Sequence, residues 1–520
     1  MNFVDYALVA VYLAAMLWLG LRFKQARAGS DYFLGGKSFG AFSLAMSTMA
    51  TQLSAISFVS APAFVGLRPG GGMQWLSYEF GVPLAMIAVM AVMAPVLYRA
   101  GVISVYAFLE TRFGVSSRLI LAALFMILRG IASGITINIV CVVLATITGF
   151  AYWQVMLVLG AVTIVYSLEG GMKAIVYSEV AQMIIKVLGI LIIVLTGLHL
   201  LGGWDEFVAH VDRSRLVVVD FGSAGFDGRE YGFWPMLIGG FFLYLGYYGS
   251  EQTQVQRILS ARDEGTIRKL LLMNGLLRFP VTLAYCVGGL VLGTFVAGNP
   301  DFAALIPPNK PDLMIPMFIV HYLPHVLIGV IVISLLAAGM SAYSSNINSL
   351  SAVTMEDFVT RYARVPKDRY VAIGKLVALA WGALTMAIGL FADRFAKTAI
   401  EAINKSTSCF LGPILGMFLL AMLGRSIRPV AANVGVVCGV AVNLVLWLDF
   451  PNVFWLWWNA IGALVTVAVG LSLSLVLRGA GAKPGLRLDV GQRAGRRETW
   501  ILALYFLGML VFCLLLPKLF

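Results

Sequence analysis

Long apolar runs recur along this chain, each about the length that crosses a bilayer as a helix and each bounded by a short polar stretch. They fall roughly at 3–23, 40–66, 75–98, 117–147, 150–168, 174–201, 233–255, 270–298, 318–358, 370–392, 398–423, 429–449, 454–477 and 499–518. The pattern predicts an all-α polytopic membrane protein of about fourteen spans. Residues 202–232 read as a polar outer loop, and GAGAKPGLRLDVGQRAGRR as a solvated linker before the last span. No stretch reads as a soluble domain, so residues 1–520 are expected to form one membrane domain.

Two spans are interrupted by polar residues. The second carries Thr48, Thr51, Gln52, Ser54 and Ser57 through its middle, and the seventh sets Gly246 and Gly249 beside tyrosines before a polar run. Such interruptions in two halves of a transporter point to unwound backbone at a binding site. They are also compatible with kinked helices joined by hydroxyl hydrogen bonds. The ninth span holds the densest polar cluster, SAYSSNINSLS, in which Ser341, Ser344, Ser345 and Asn348 share one helical stripe. Hydroxyls and free carbonyls on one stripe suit a hard cation such as sodium; a seam of small residues between helices suits the same pattern.

Composition sharpens the class. Hydrophobic residues make up 60% of the 520 and charged residues only 12%, against about a quarter charged in soluble domains. The net charge of +12 does not imply nucleic acid, because the basic residues concentrate in alternate loops. Arg22, Lys24 and Arg27, then Arg99 and Arg112, then Arg257, Arg262 and Arg268, and later Arg361 and Arg364 follow this pattern. It places those loops inside a cell or inner membrane and both termini outside. The first run lacks a basic leader and a small-residue cleavage site, so no signal peptide is expected. The five cysteines are scattered through apolar runs and frame neither a disulfide scaffold nor a zinc site. No phosphate loop, HExxH or GxSxG motif is present, which argues against an enzyme or an ATP-driven pump.

Charges inside spans are functional candidates. Four carboxylates qualify: Glu79, Glu179, Glu251 and Glu401. Glu79 lies between aromatic residues in WLSYEFGVP, where it could accept hydrogen bonds from a polyhydroxylated ligand or face the outer headgroups.

These motifs resemble the sodium:solute symporter family over essentially the whole chain. The resemblance rests on DYFLGGKS, GGMKAIVYSEVAQ, YYGSEQTQVQRIL, MSAYSSNINSLSAVTMEDF and GPILGMFLL, in that order. It implies a leucine-transporter-like fold, with span 1 at 3–23, inverted five-helix repeats at about 40–201 and 233–423, and extra helices over 429–518. Spans 2 and 7 would be the broken helices. The principal sodium site would use the carbonyls of Ala50, Leu53 and Ala338 and the hydroxyl of Ser341, with the usual second hydroxyl replaced by Ala342. A second sodium position would use Ser344, Ser345 and Glu179, the last fitting a proton carrier equally. The sugar-transporting members' cavity maps onto Gln52, Ser57, Tyr78, Glu79, Tyr244 and Asn404, with Tyr247 at the inner gate and Leu276 at a lysine position of span 8. Arg129 in span 4 would serve an anionic solute. The expected function is sodium-coupled import of a small polar solute, a sugar or polyol, by a monomer or weak oligomer. The rival readings are a proton-coupled or carboxylate symporter and a transporter-like sensor.

Overall fold

The computed structural model describes residues 1–24, 29–54, 56–392, 399–422, 427–477 and 495–519. Among them the regular elements are helices, and strand pairing is limited to one bridge between Phe39 and Ala261. Ten helices are long and apolar enough to cross a membrane, and eleven if one bent pair counts as a span. We label α1 (Phe3–Arg22), the bent pair α2 (Ala41–Gln52) and α3 (Ser57–Gly66), α4 (Met73–Ala100), α5 (Val115–Thr148) and α6 (Tyr152–Leu201). There follow α7 (Gly240–Gly249), α8 (Gln252–Leu259), α9 (Glu264–Ala297), α10 (Leu327–Val353), α11 (Tyr370–Phe391) and α12 (Ala399–Met422). The last three are α13 (Pro429–Asp449), α14 (Trp457–Val476) and α15 (Arg496–Leu519).

The sequence count of fourteen exceeds eleven at three places. The α7–α8 segment is broken into short pieces, the start of α12 lies outside the residues whose side chains are described, and two expected spans run together in the 50-residue α6. A straight helix of that length would extend roughly 75 Å, more than twice the hydrocarbon thickness. Gly171 divides it with φ 53° and ψ −150°, a conformation close to glycine-only. A Cβ there would also lie 2.7 Å from the Tyr32 carbonyl oxygen. Gly171→Ala is therefore expected to cost about 1–3 kcal/mol, read as a lower melting temperature of the purified protein.

The outer helices show leucines such as Leu195, Leu376, Leu448 and Leu475 on the surface, the face that hydrocarbon covers. The protein is a multi-pass membrane protein. At the other extreme α10 is buried almost throughout and packs chiefly against α6, α5 and α1. A second set of contacts involves glycine alone. A Cβ on Gly66 would sit 2.2 Å from the Gly289 carbonyl, and one on Gly81 would sit 2.5 Å from Gly240. Thus α3 meets α9, and α4 meets α7, backbone against backbone. The polar residues of interest lie between these two sets of helices.

Candidate functional site

The break between α2 and α3 bends the pair by 72°. It begins where Leu53 leaves helical geometry at φ −74°, ψ 81°, and it turns the carbonyls of Ala50 and Leu53 toward a buried side chain of α6. Lys186 Nζ donates to Ala50 O at 2.6 Å, to Leu53 O at 2.9 Å and to Ser341 Oγ at 2.6 Å. The Ser341 hydroxyl in turn donates to Ala50 O at 3.0 Å and approaches Ala338 O at 3.3 Å. All four groups expected to hold the principal sodium ion are thus together, around an ammonium that is itself fully buried. An ammonium has three donors and no acceptor, and here each donor has one oxygen.

Seven residues earlier on α6, Glu179 forms a second buried junction. Arg257 Nη2 of α8 meets Glu179 Oε1 at 3.0 Å and Oε2 at 3.1 Å. The Ser47 and Ser345 hydroxyls donate to the same carboxylate, and Thr51 Oγ1 lies 3.2 Å away. Arg257 also donates to Thr51 Oγ1 at 2.9 Å and to Ser345. The expected grouping of Ser345 with Glu179 is present, whereas Ser344 donates to the Ser341 carbonyl of its own helix at 3.2 Å. Arg257, read from sequence as an inner-loop residue, is instead 1% exposed. The pair sits where a carboxylate alone would be prohibitively desolvated, and the arginine offsets that cost.

Beside the first junction lies a small cavity of about 30 Å³ whose lining includes Gln52, Ser57, Met183, Arg278, Thr282 and Tyr285. Arg278 is its central charge. Its Nε and Nη2 each reach a Glu79 oxygen at 2.8 Å, a bidentate pair. Arg278 also donates to Gln52 Oε1 and, at 3.1 Å, to Tyr244 Oη, with the Tyr244 ring 4.8 Å from the guanidinium carbon. Thr282 adds a hydrogen bond to Glu79 Oε1 at 3.0 Å. Tyr248 donates to Gln52 Oε1 at 2.8 Å. With two donors on Oε1, the amide of Gln52 is oriented, and its nitrogen is buried without a hydrogen-bond partner among the described residues.

The other expected contacts divide. Tyr78 packs among aromatic rings, 5.0 Å from Trp75 and 5.9 Å from Tyr231, and Trp75 Nε1 reaches Tyr285 Oη at 3.3 Å. This places Tyr78 one ring beyond the cavity. The side chain of Asn404 lies outside the described residues. Tyr247 lines a different cavity of about 50 Å³, shared with Arg129, Glu251 and Tyr106. There Arg129 is 3.5 Å from Glu251 and its guanidinium lies 5.9 Å from the Tyr247 ring centre. Gly246, expected to break its helix, is inside α7; the interruption falls at Ser250 and Glu251. Glu251 caps α8 through Gln254 N at 3.3 Å, which fixes the break there. Leu276 does not replace the span-8 lysine in function, since Arg278, two residues on, is the residue that faces the cavity.

Among the described residues, the helices enclose a buried polar centre beside the break of a membrane helix. The sequence profile of the sodium:solute symporter family matches residues 32–439, and the chain belongs to that family. It is similar to the human sodium/iodide cotransporter, 28% identical over 469 residues covering 88% of this chain and 70% of the other. It is equally 28% identical to sodium-coupled monocarboxylate transporter 1 of Xenopus laevis, covering 85% and 71%. In structure it resembles a Na⁺-coupled sialic acid symporter in a substrate-bound outward-open state, with a TM-score of 0.84 at 22% identity, covering 93% and 99%. A nucleobase-cation-symport-1 family transporter resembles it more distantly, at a TM-score of 0.56 and 14% identity, covering 92% and 99%. The fold is the leucine-transporter-like one. The protein is a transporter and not an enzyme, and family membership makes sodium its coupling ion.

Proposed function

We propose that this symporter imports a small organic anion of the monocarboxylate class, taken up at the Gln52–Arg278 cavity by alternating access. The observation that carries this reading is the balance of donors and acceptors there. A sugar needs acceptors for its hydroxyls, and Glu79 was the expected one. Both Glu79 oxygens are taken, by Arg278 twice and by Thr282. The polar atom left over is a donor, Gln52 Nε2. A buried donor lacking an acceptor is costly, and a carboxylate oxygen relieves it. The apolar wall of Met183 and Val281 suits a short alkyl chain. The names of the relatives, iodide and monocarboxylate cotransporters, support an anion as well.

The test is counterflow of labelled pyruvate or lactate in proteoliposomes, with unlabelled competitors. Short monocarboxylates should compete and glucose, galactose and polyols should not; competition by sugars alone would sink the reading. In the same assay Gln52→Ala should weaken binding by roughly 5- to 150-fold, the equivalent of one buried hydrogen-bond partner, about 1–3 kcal/mol. The melting temperature should fall as well, because the deleted amide oxygen accepts from Arg278 and Tyr248, so affinity is compared on the folded fraction.

A further inference from the structure

The oxygens at the break between α2 and α3 already hold a cation that is part of the chain. We propose that the Lys186 ammonium is the built-in cation of the α2–α6–α10 junction, and that no sodium ion binds at this position while it is there. Three independent features agree. The ammonium's three donors are matched one to one by Ala50 O, Leu53 O and Ser341 Oγ at 2.6–2.9 Å, which takes three of the four oxygens expected to coordinate an ion and leaves only Ala338 O. Lys186 is fully buried within α6, so its head cannot reach water without leaving these oxygens. Position 342, beside Ser341, is alanine; a fourth oxygen there would have no donor to receive, whereas a metal ion would gain a ligand from one. A lysine is a compact point charge on a flexible stem, which is what allows it to stand where a small ion would. The nearest acid on the same helix, Glu179, is engaged by Arg257, so the ammonium is held by neutral oxygens alone.

The function assigned to the junction changes accordingly. An ion that dissociates can carry gradient energy into the cycle, but a tethered one can only swing aside. At this position the cation secures α2 to α6 and α10 without consuming a sodium ion. The proposal rests on the symporter reading for its meaning, but its test needs no solute. Failure of the monocarboxylate assignment would therefore show in counterflow and leave this measurement intact.

Melting of the purified full-length protein is compared in sodium chloride and in equimolar choline chloride. Lys186→Ala opens a cavity walled by three oxygens; it should lose on the order of 5 °C in choline and regain most of that in sodium, a larger sodium effect than wild type shows. Lys186→Met fills the space without charge and should show no such regain. Ser341→Ala, with the lysine in place, should lose the same amount in both salts. A sodium effect on Lys186→Ala no larger than on wild type overturns the proposal. So does an alanine variant that sodium fails to rescue, and so does a Ser341→Ala loss confined to sodium.

Discussion

Arg257→Met is expected to yield a protein that scarcely accumulates in the membrane, although residue 257 was read from sequence as a loop residue. The reason is what it leaves behind. Glu179 is fully buried, and Arg257 is the ionic partner that its carboxylate has. Removing one partner of such a pair typically costs about 3–5 kcal/mol, because the remaining charge is stranded. Glu179→Gln should hurt less, since the amide still accepts from Ser47 and Ser345 and the arginine keeps Thr51 and the Thr253 carbonyl. The double variant Arg257→Met/Glu179→Met should recover much of the single loss. Fluorescence-detected size exclusion of detergent extracts, with melting curves, measures all three. If the single arginine variant were as stable as wild type, the buried pair would not be a structural element.

Arg278→Lys is expected to lower the affinity for solute by about 100-fold, close to the effect of Arg278→Ala. A lysine keeps the charge but cannot form the two parallel bonds to Glu79 while also reaching Gln52 and Tyr244. Gln52 would lose the donor that orients its amide, and Glu79 would turn its oxygens into the cavity. The sign of the cavity's remaining hydrogen-bonding capacity would then reverse, from donor to acceptor. Hence the lysine variant should bind monocarboxylates poorly and show its first measurable response to polyols. Counterflow competition on wild type and variant, with melting temperature as control, reads both effects. Unchanged monocarboxylate affinity in Arg278→Lys would remove Arg278 from the site.

Much of this architecture was legible in the hydropathy pattern, and the reasons are local. The α2–α3 break follows from polar residues set in the middle of an apolar run, and the serine stripe of α10 from helical spacing. The convergence of Ala50, Leu53, Ala338 and Ser341 followed from the family resemblance. What was missed shares one cause: intramembrane acids were weighed as chemistry, whereas two lone intramembrane bases were passed over. Lys186 in QMIIKVLGI and Arg278 in LLRFPV each sit alone among apolar residues, a signal as strong as any carboxylate's. Arg257 could not be recovered that way, because its span is interrupted and polar on both sides. The break in the α7–α8 segment was displaced from Gly246 to Ser250 for another reason. Glycine permits a break, but the capping carboxylate of Glu251 places it. The pairing of Glu79 was not legible, because a carboxylate's neighbours in sequence do not reveal that an arginine nearly two hundred residues away bonds to it.

The glycine contacts decide where the molecule can part. Where Gly66 meets Gly289 and Gly81 meets Gly240, backbone lies against backbone, which leaves little room for those helices to shift against one another. Sliding within that block would drive backbone into backbone. The boundary that remains runs past α6 and α10, and two basic side chains cross it in opposite directions. Arg257 reaches from the block to Glu179, and Lys186 reaches back from α6 to Ala50 and Leu53. Parting along that boundary would have to break both sets of hydrogen bonds.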